Sequence, residues 1–370
     1  MAMAAGLAVA NIYYNQPMLG VISRDLGSPG VTGLIPTATQ LGYALGLMLL
    51  VPLGDLMDRR KLIVTQYVMM AVAVLGVAMA PTPALIIAAS LLLGICSTAA
   101  QQLIPFAAAL ALPENRGKTV GIVVSGVLCG ILASRTVSGF VAAYLGWRSM
   151  FVLAAPLALA AGALMAWLLP RNFPYAHLSY GAALKSVGLL WLRHPTLRAV
   201  TLSQAALFAT FSTFWTTLAL HLQEPPYELG SDVAGLFGLI GIAGVLAAPL
   251  AGRVADRRGP RAVVIACSLI TLLSWAVFGL WDKMPGLILG VVLLDFGIQG
   301  ALVPNQTLVF TLDPAARNRL NTVFVTGMFL GAAFGSAGAA YAWHHWGWTG
   351  VSAFGFALAA LATLLALRKP

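Results

Sequence analysis

Two ionisable side chains lie deep within long apolar stretches of this chain: Arg135 and Asp295. An ion placed there gives up its hydration, so it is kept for a purpose such as carrying a proton, binding an opposite charge or balancing another ion. Asp295 is the only acid buried well inside such a stretch. A carboxylic acid removed from water takes up and returns a proton as its surroundings change, which makes Asp295 the candidate proton carrier. Arg135 does not release its proton. It is a candidate for binding an anionic substrate, for holding Asp295 ionised, or for a structural role. Each residue sits about ten residues from one end of its stretch, so roughly 15 Å deep at 1.5 Å per residue. Equal depth admits a pair.

Uncharged polar residues gather around these two at helical spacing. Asp295, Gln299 and Gln306 share one helix face at 100° per residue, and Asn305 borders it. Asn11, Tyr14 and Asn15 share another face near the start of the chain. Gln40 and Tyr43 are neighbours on a third segment, and Gln101 and Gln102 interrupt a fourth. Phe211 and Trp215 belong to an aromatic stripe that also holds Gln204 and Phe208. Polar and aromatic faces together suit an amphipathic or ring-bearing ligand. Each amide also fits an interhelical hydrogen bond, and each ring fits core packing or lipid contact.

Other chemistries find little support. Cys96, Cys129 and Cys267 all fall in apolar blocks and read as small core residues, not a disulfide framework or a metal site. The adjacent His344 and His345 point two ways on a helix, which argues against a metal. There is no nucleophile–base pair within the apolar blocks, no H-E-x-x-H and no phosphate loop, so a membrane-embedded enzyme is the weaker alternative. No cofactor is expected.

These residues must be held by membrane helices. Of 370 residues, 60% are hydrophobic and 9% charged, against about 25% charged in a soluble domain. The apolar residues form blocks of about 20, each long enough to cross a hydrocarbon core as a helix. Twelve spans are expected, at 1–22, 31–53, 62–80, 84–112, 119–144, 149–169, 196–222, 232–251, 262–281, 285–312, 321–343 and 349–367. The fold class is all-α integral membrane, with two pseudo-symmetric six-helix bundles at 1–169 and 196–370 and a linker at 170–195. Within the linker, Ser179–Arg193 mixes apolar and basic residues and reads as a surface helix or an irregular connection. Pro17, Pro105 and Pro304 are expected to kink spans one, four and ten.

A net charge of +10 is also found in nucleic-acid-binding proteins, but here 17 of the 21 basic residues fall in one set of alternate loops. That asymmetry marks the cytoplasmic side of a cell membrane and places both termini there. The expected partners are the lipid bilayer, a small-molecule substrate and protons, with no nucleic acid, and the chain is expected to act as a monomer.

The two halves repeat. At a shift of 201 residues, Arg116, Lys118, Gly126, Gly130, Gly146 and Trp147 fall on Arg317, Arg319, Gly327, Gly331, Gly347 and Trp348. The loop after span two begins Gly54, then Asp58, Arg59 and Arg60; the loop after span eight begins Gly252, then Asp256, Arg257 and Arg258. Both read G-x-x-x-D-R-R. A six-span unit followed by a similar six is the pattern of a transporter rocking around a midplane site.

These loops resemble the signature of the major facilitator superfamily, and the likeness covers the whole chain. The opening Asn11-Ile12-Tyr13-Tyr14-Asn15-Gln16-Pro17 resembles bacterial drug and sugar efflux permeases. The resemblance implies that spans one, four, seven and ten line a central cavity. It also implies that the two loops act as a conformational latch at the cytoplasmic gate, their glycines permitting tight turns and their aspartates facing the N-terminal end of a neighbouring helix. Two features depart from proton-coupled members. Ile131, Ser134 and Arg135 replace the proline and final glycines of the span-five antiporter motif, and Ser90 stands where an arginine is common. The function expected is a secondary active transporter exporting a small amphipathic molecule or metabolite by alternating access, coupled to protons. An importer or uniporter of the same fold is the alternative.

Overall fold

The computed structural model describes residues 1–171, 179–313 and 316–368. The chain folds into helices because hydrocarbon offers no water to the backbone, so each segment must satisfy its own N–H and C=O groups. In the first half these are α1 (Ala2–Tyr13), α2 (Asn15–Leu26), the short α3 (Pro29–Thr32), α4 (Ile35–Leu50), α5 (Arg59–Met79), α6 (Pro83–Ser97), α7 (Ala99–Leu110), α8 (Arg116–Leu145) and α9 (Trp147–Leu168). The second half holds α10 (Tyr180–Arg193), α11 (Pro195–Gln223), α12 (Ser231–Ile240), α13 (Ile242–Arg258), α14 (Pro260–Leu280), α15 (Met284–Thr311) and α16 (Arg317–Leu367). Prolines open α6, α11 and α14 at positions where their missing N–H costs nothing.

The twelve expected spans are present. α1 and most of α2 cover span one; the helix is interrupted at Tyr14, just before Pro17, which has no N–H to offer the Tyr13 carbonyl. α6 and α7 together make span four. Its interruption falls at Thr98, not at Pro105, which lies inside α7. There the Thr98 hydroxyl bonds back to the Ile95 carbonyl at 2.7 Å. α15 runs unbroken through Pro304. α16 contains spans eleven and twelve, which meet at Gly347 (φ +58°). Gly146 (φ +81°) makes the corresponding turn between α8 and α9. The repeated Gly-Trp pair is thereby explained: only glycine takes these backbone angles cheaply, and Trp147 and Trp348 fold inward behind it. The stretch read as a linker contains the helix α10, while residues 172–178 lie outside the described residues.

The chain forms two compact units, Met1–Lys185 with Gly230–Gly235, and Ser186–Leu229 with Leu236–Pro370. In the first, α1 packs on α8, α4 on α6 and α5 on α9. In the second, α11 packs on α16, α13 on α15 and α14 on α16. By span this is one pattern used twice: first on fifth, second on fourth, third on sixth. The glycine pairs of the repeat lie in matching contacts. A methyl group on Gly130 would run into the Gly6 carbonyl, and one on Gly331 into the Ala205 carbonyl. Small residues let the backbones approach where apolar lipid gives helices no solvent-driven reason to associate.

Exposed aliphatic residues lie four apart on the outer helices, as with Val68 and Val72 on α5, Leu153 and Leu157 on α9, and Leu269 and Leu273 on α14. One apolar stripe per helix, facing outward, is what a bilayer solvates. Cys96 and Cys267 are buried as expected, but Cys129 is exposed on α8. An apolar block in lipid has an apolar outside as well as a core, so block membership alone did not place it.

Candidate functional site

In the first unit the polar residues of span one lie together. Asn11 Nδ2 donates to the Leu7 carbonyl at 2.7 Å and approaches Met70 Sδ at 3.4 Å. Asn15 Nδ2 donates to Thr39 Oγ1 on α4 at 3.1 Å. Arg135, on α8, is only 2% exposed. Its Nε donates to Gln16 Oε1 at 2.9 Å, and its guanidinium lies 4.8 Å from the centre of the Tyr13 ring. The ring face, negative at its centre, adds to what holds the charge in place. Tyr14, Gln40 and Tyr43 are all buried, and Gln101 hydrogen-bonds Tyr43. Asn11, Asn15 and Gln16 each retain one buried amide atom with no partner among the described residues. Such atoms in a packed interior mark a place where water or a ligand supplies the missing bond.

Gln102 separates from its neighbour Gln101. Its Nε2 donates to Gln66 Oε1 at 2.9 Å, and Gln66 Nε2 donates to Thr98 Oγ1 at 3.0 Å. This chain ties α7 to α5 and makes Gln102 an interhelical fastener, while its Oε1 is buried with no partner among the described residues. Gln66 was not singled out from sequence; its only signal was a lone amide in an apolar block.

In the second unit the expected common face of span ten is divided. Asn305 Nδ2 donates to Gln204 Oε1 on α11 at 2.8 Å. Gln306 Nε2 donates to Asn321 Oδ1 on α16 at 2.8 Å. Asp295 and Gln299 instead lie against Gly244 of α13, where an added methyl would meet both at 3.1 Å. Asp295 is 4% exposed. The aromatic stripe of α11 is continuous: Phe208 stacks on Phe211 at 5.2 Å, and Phe211 lies 6.0 Å from Trp215. Phe214, off the stripe, meets Trp215 edge-on at 5.4 Å.

The two signature segments differ in form. After span two, Pro52–Asp55 makes a short 3-10 turn, and Asp58 caps α5 by accepting from the Arg60 N–H at 3.0 Å. Arg59 Nε donates to the Gly54 carbonyl at 2.8 Å. Asp58 therefore serves the N-terminus of its own helix. The second copy is not a loop. Gly252, Asp256, Arg257 and Arg258 all lie within α13, and the turn comes at Gly259 (φ +84°). Gly252 makes no tight turn. Residues 252–258 contain no proline, so the helix continues until glycine and Pro260 stop it.

Sequence reading also missed two clusters at the opposite end of the helices from the basic residues. In the first unit, Asp25 accepts from Arg148 and from Trp147 Nε1, the latter at 3.0 Å. The Arg148 bond, then that of Trp147, holds the Asp25 carboxyl below its ordinary pKa. In the second, His221 Nε2 lies 2.8 Å from Asp282 Oδ1, Tyr227 donates to the same oxygen at 3.0 Å, and Trp348 stacks on the imidazole at 4.0 Å. Burial, then the Asp282 carboxylate, pushes the Tyr227 hydroxyl above its ordinary pKa. These partners come from loops and helix ends far apart in sequence, so no local spacing announced them.

Comparison with known proteins agrees with this architecture. The Major Facilitator Superfamily profile matches residues 1–246 and 199–370. An uncharacterized transporter of Escherichia coli O157:H7, YgaY, is 43% identical over 362 residues, covering 97% of this chain and 92% of its own. A probable transporter of Streptomyces coelicolor is 34% identical, covering 95% and 82%. Among solved structures, that of a mutant of the nucleoside transporter NupG superimposes with a TM-score of 0.79 at 14% identity, covering 99% of this chain and 97% of the other. With two units of like helix pairing and relatives matched along nearly their whole length, the chain belongs to the major facilitator superfamily of membrane transporters.

Proposed function

We propose that this transporter exports a small amphipathic molecule or metabolite by alternating access, in exchange for protons carried by Asp295. The observation that carries the reading is the burial of that single carboxyl group midway along α15, 4% exposed and packed against Gly244. A carboxylate kept out of water is costly unless its charge is managed, and a proton manages it. In the first unit, substrate contact is assigned to the unfilled amide atoms of Asn11, Asn15 and Gln16. In the second, the Phe211 and Trp215 rings, tilted at 53° to each other, form an apolar aromatic surface. Arg135 anchors the first group.

The reading places the chain in the bacterial inner membrane as a monomer, with basic loops and both termini in the cytoplasm. The bundles are taken as residues 1–169 and 196–370, and α10, in the segment that connects them in sequence, lies along the membrane surface. The Asp58 and Asp256 segments form the latch at the cytoplasmic gate.

The test is a susceptibility panel in efflux-deficient bacteria, comparing wild type with Asp295→Asn at matched membrane levels. Wild type is expected to raise tolerance to at least one toxic compound or excess metabolite, and the variant to lose that protection. Equal protection by both removes Asp295 from coupling. Protection by neither overturns export, and uptake of labelled nutrients then identifies an importer.

A further inference from the structure

The basic end of the second unit contains a cavity of about 130 Å³ between α11, α14, α15 and the end of α16. Its polar lining is Thr196, Ser203, Asn305, Arg261 and Arg368, and its apolar wall includes Val200, Val264 and Leu308. No lining residue is acidic. Ser203 is 3% exposed, and its hydroxyl has no partner among the described residues. Arg261 donates through Nη2 to the Leu367 carbonyl at 2.7 Å, but its buried Nε also lacks a partner. Arg198, on the neighbouring turn, is turned away to the Leu192 carbonyl at 2.9 Å and does not compete.

A buried guanidinium N–H and a buried hydroxyl left unpaired are both costly, and the exposed Arg368 adds a second positive charge at the mouth of the cavity. The space is that of about four waters at ~30 Å³ each. Water satisfies the hydrogen bonds but brings no counter-charge. An oxyanion with several acceptor oxygens satisfies both, and guanidinium groups bind phosphate in this way. We propose that this cavity binds a phosphate group, borne by a soluble phosphate ester or by an anionic phospholipid whose chains follow the apolar wall. Its lining includes neither Asp295 nor any residue assigned substrate contact, and shares only Asn305 with the expected polar face of span ten, so the site is separate from Asp295.

The experiment uses the purified full chain and reads binding, not transport, so it fails independently of the export reading. Thermal unfolding is followed in inorganic phosphate against chloride at equal ionic strength. Retention of phosphatidylglycerol against phosphatidylcholine is followed by native mass spectrometry. A phosphate-dependent rise in Tm assigns the soluble source; selective retention of phosphatidylglycerol assigns the lipid source. In either case Ser203→Ala and Arg261→Gln are expected to weaken the effect about tenfold each. Ser203→Ala removes one small hydroxyl and serves if Arg261→Gln fails to fold. No response to either probe overturns the proposal, and so does a response that Ser203→Ala leaves unchanged.

Discussion

Arg135 and Gln16 are 119 residues apart in sequence, yet the guanidinium Nε of one donates to the side-chain oxygen of the other at 2.9 Å within a single bundle. Gln16→Leu leaves that N–H buried and unpaired, at a cost of about 1–3 kcal/mol. Arg135→Lys keeps the charge but loses both the Nε bond and the planar contact with Tyr13. Both variants are expected to unfold at lower temperature, and Gln16→Leu to lose transport although no charge has changed. A Gln16→Leu protein with wild-type Tm and transport would show that Gln16 does not position Arg135.

Two glycines on α8 give a controlled test of helix packing. A methyl on Gly130 meets the Gly6 backbone, whereas one on Gly121 meets nothing within 4 Å. Gly130→Ala is expected to destabilise by about 1–3 kcal/mol through overpacking. Gly121→Ala should be neutral or stabilise by up to ~1 kcal/mol, because alanine has the better helix propensity. Denaturation of the two variants side by side decides the matter: equal effects would mean that α1 and α8 are not in close contact.

Asp58 and Asp256 occupy the same place in the repeated motif but not in a helix. Asp58 caps α5, so Asp58→Ala is expected to cost about 0.5–2 kcal/mol. Asp256 lies in the last turn of α13, where a negative charge faces the negative end of the helix. Asp256→Ala should therefore leave stability unchanged or slightly raised. Loss of transport by Asp256→Ala at full stability would isolate a gating role from a folding one. An equal loss of stability in both variants would refute the difference in cap geometry.

The bond from Arg148 holds the Asp25 carboxyl below its ordinary pKa, which fixes the sign of a pH effect. A depressed folded-state value means that the contribution is fully present above the ordinary carboxylate range. It is lost as pH falls through the folded-state value. The stability difference between wild type and Asp25→Asn should be constant above about pH 5 and shrink below about pH 4. With the two side chains 45% and 42% exposed, the difference is small and screened by salt. A difference that grows as pH falls would contradict the assignment.

The span pattern was legible because length and apolarity alone decide which segments cross a bilayer, and the Gly-Trp turns because an identity at a fixed shift marks a repeated backbone need. Contacts across the bundle were not. Gln101 and Gln102 are adjacent in sequence, yet one turns to Tyr43 and the other to Gln66. Spacing orders residues around one helix but does not say which neighbour each face meets. The second D-R-R segment was misread as a loop because charge was taken as the end of the helix, when glycine and proline end it. His221 and Asp282 were missed because their meeting depends on two helix ends that only the fold brings together.

The bond from Asn305 to Gln204 lets folding and function be separated on one pair of residues. It joins α15 to α11 in the buried interior of the second unit, at 2.8 Å. Interhelical bonds of this kind are worth about 0.6 kcal/mol on average and up to ~1.7 kcal/mol, because membrane-embedded unfolded states also find partners. A double-mutant cycle of Gln204→Leu and Asn305→Leu is expected to give a coupling energy in that range. If Asn305 also faces substrate, Asn305→Leu will lower transport well beyond Gln204→Leu, although the two break the same bond. Equal transport losses from the two single variants would assign Asn305 to packing alone and remove it from the substrate path.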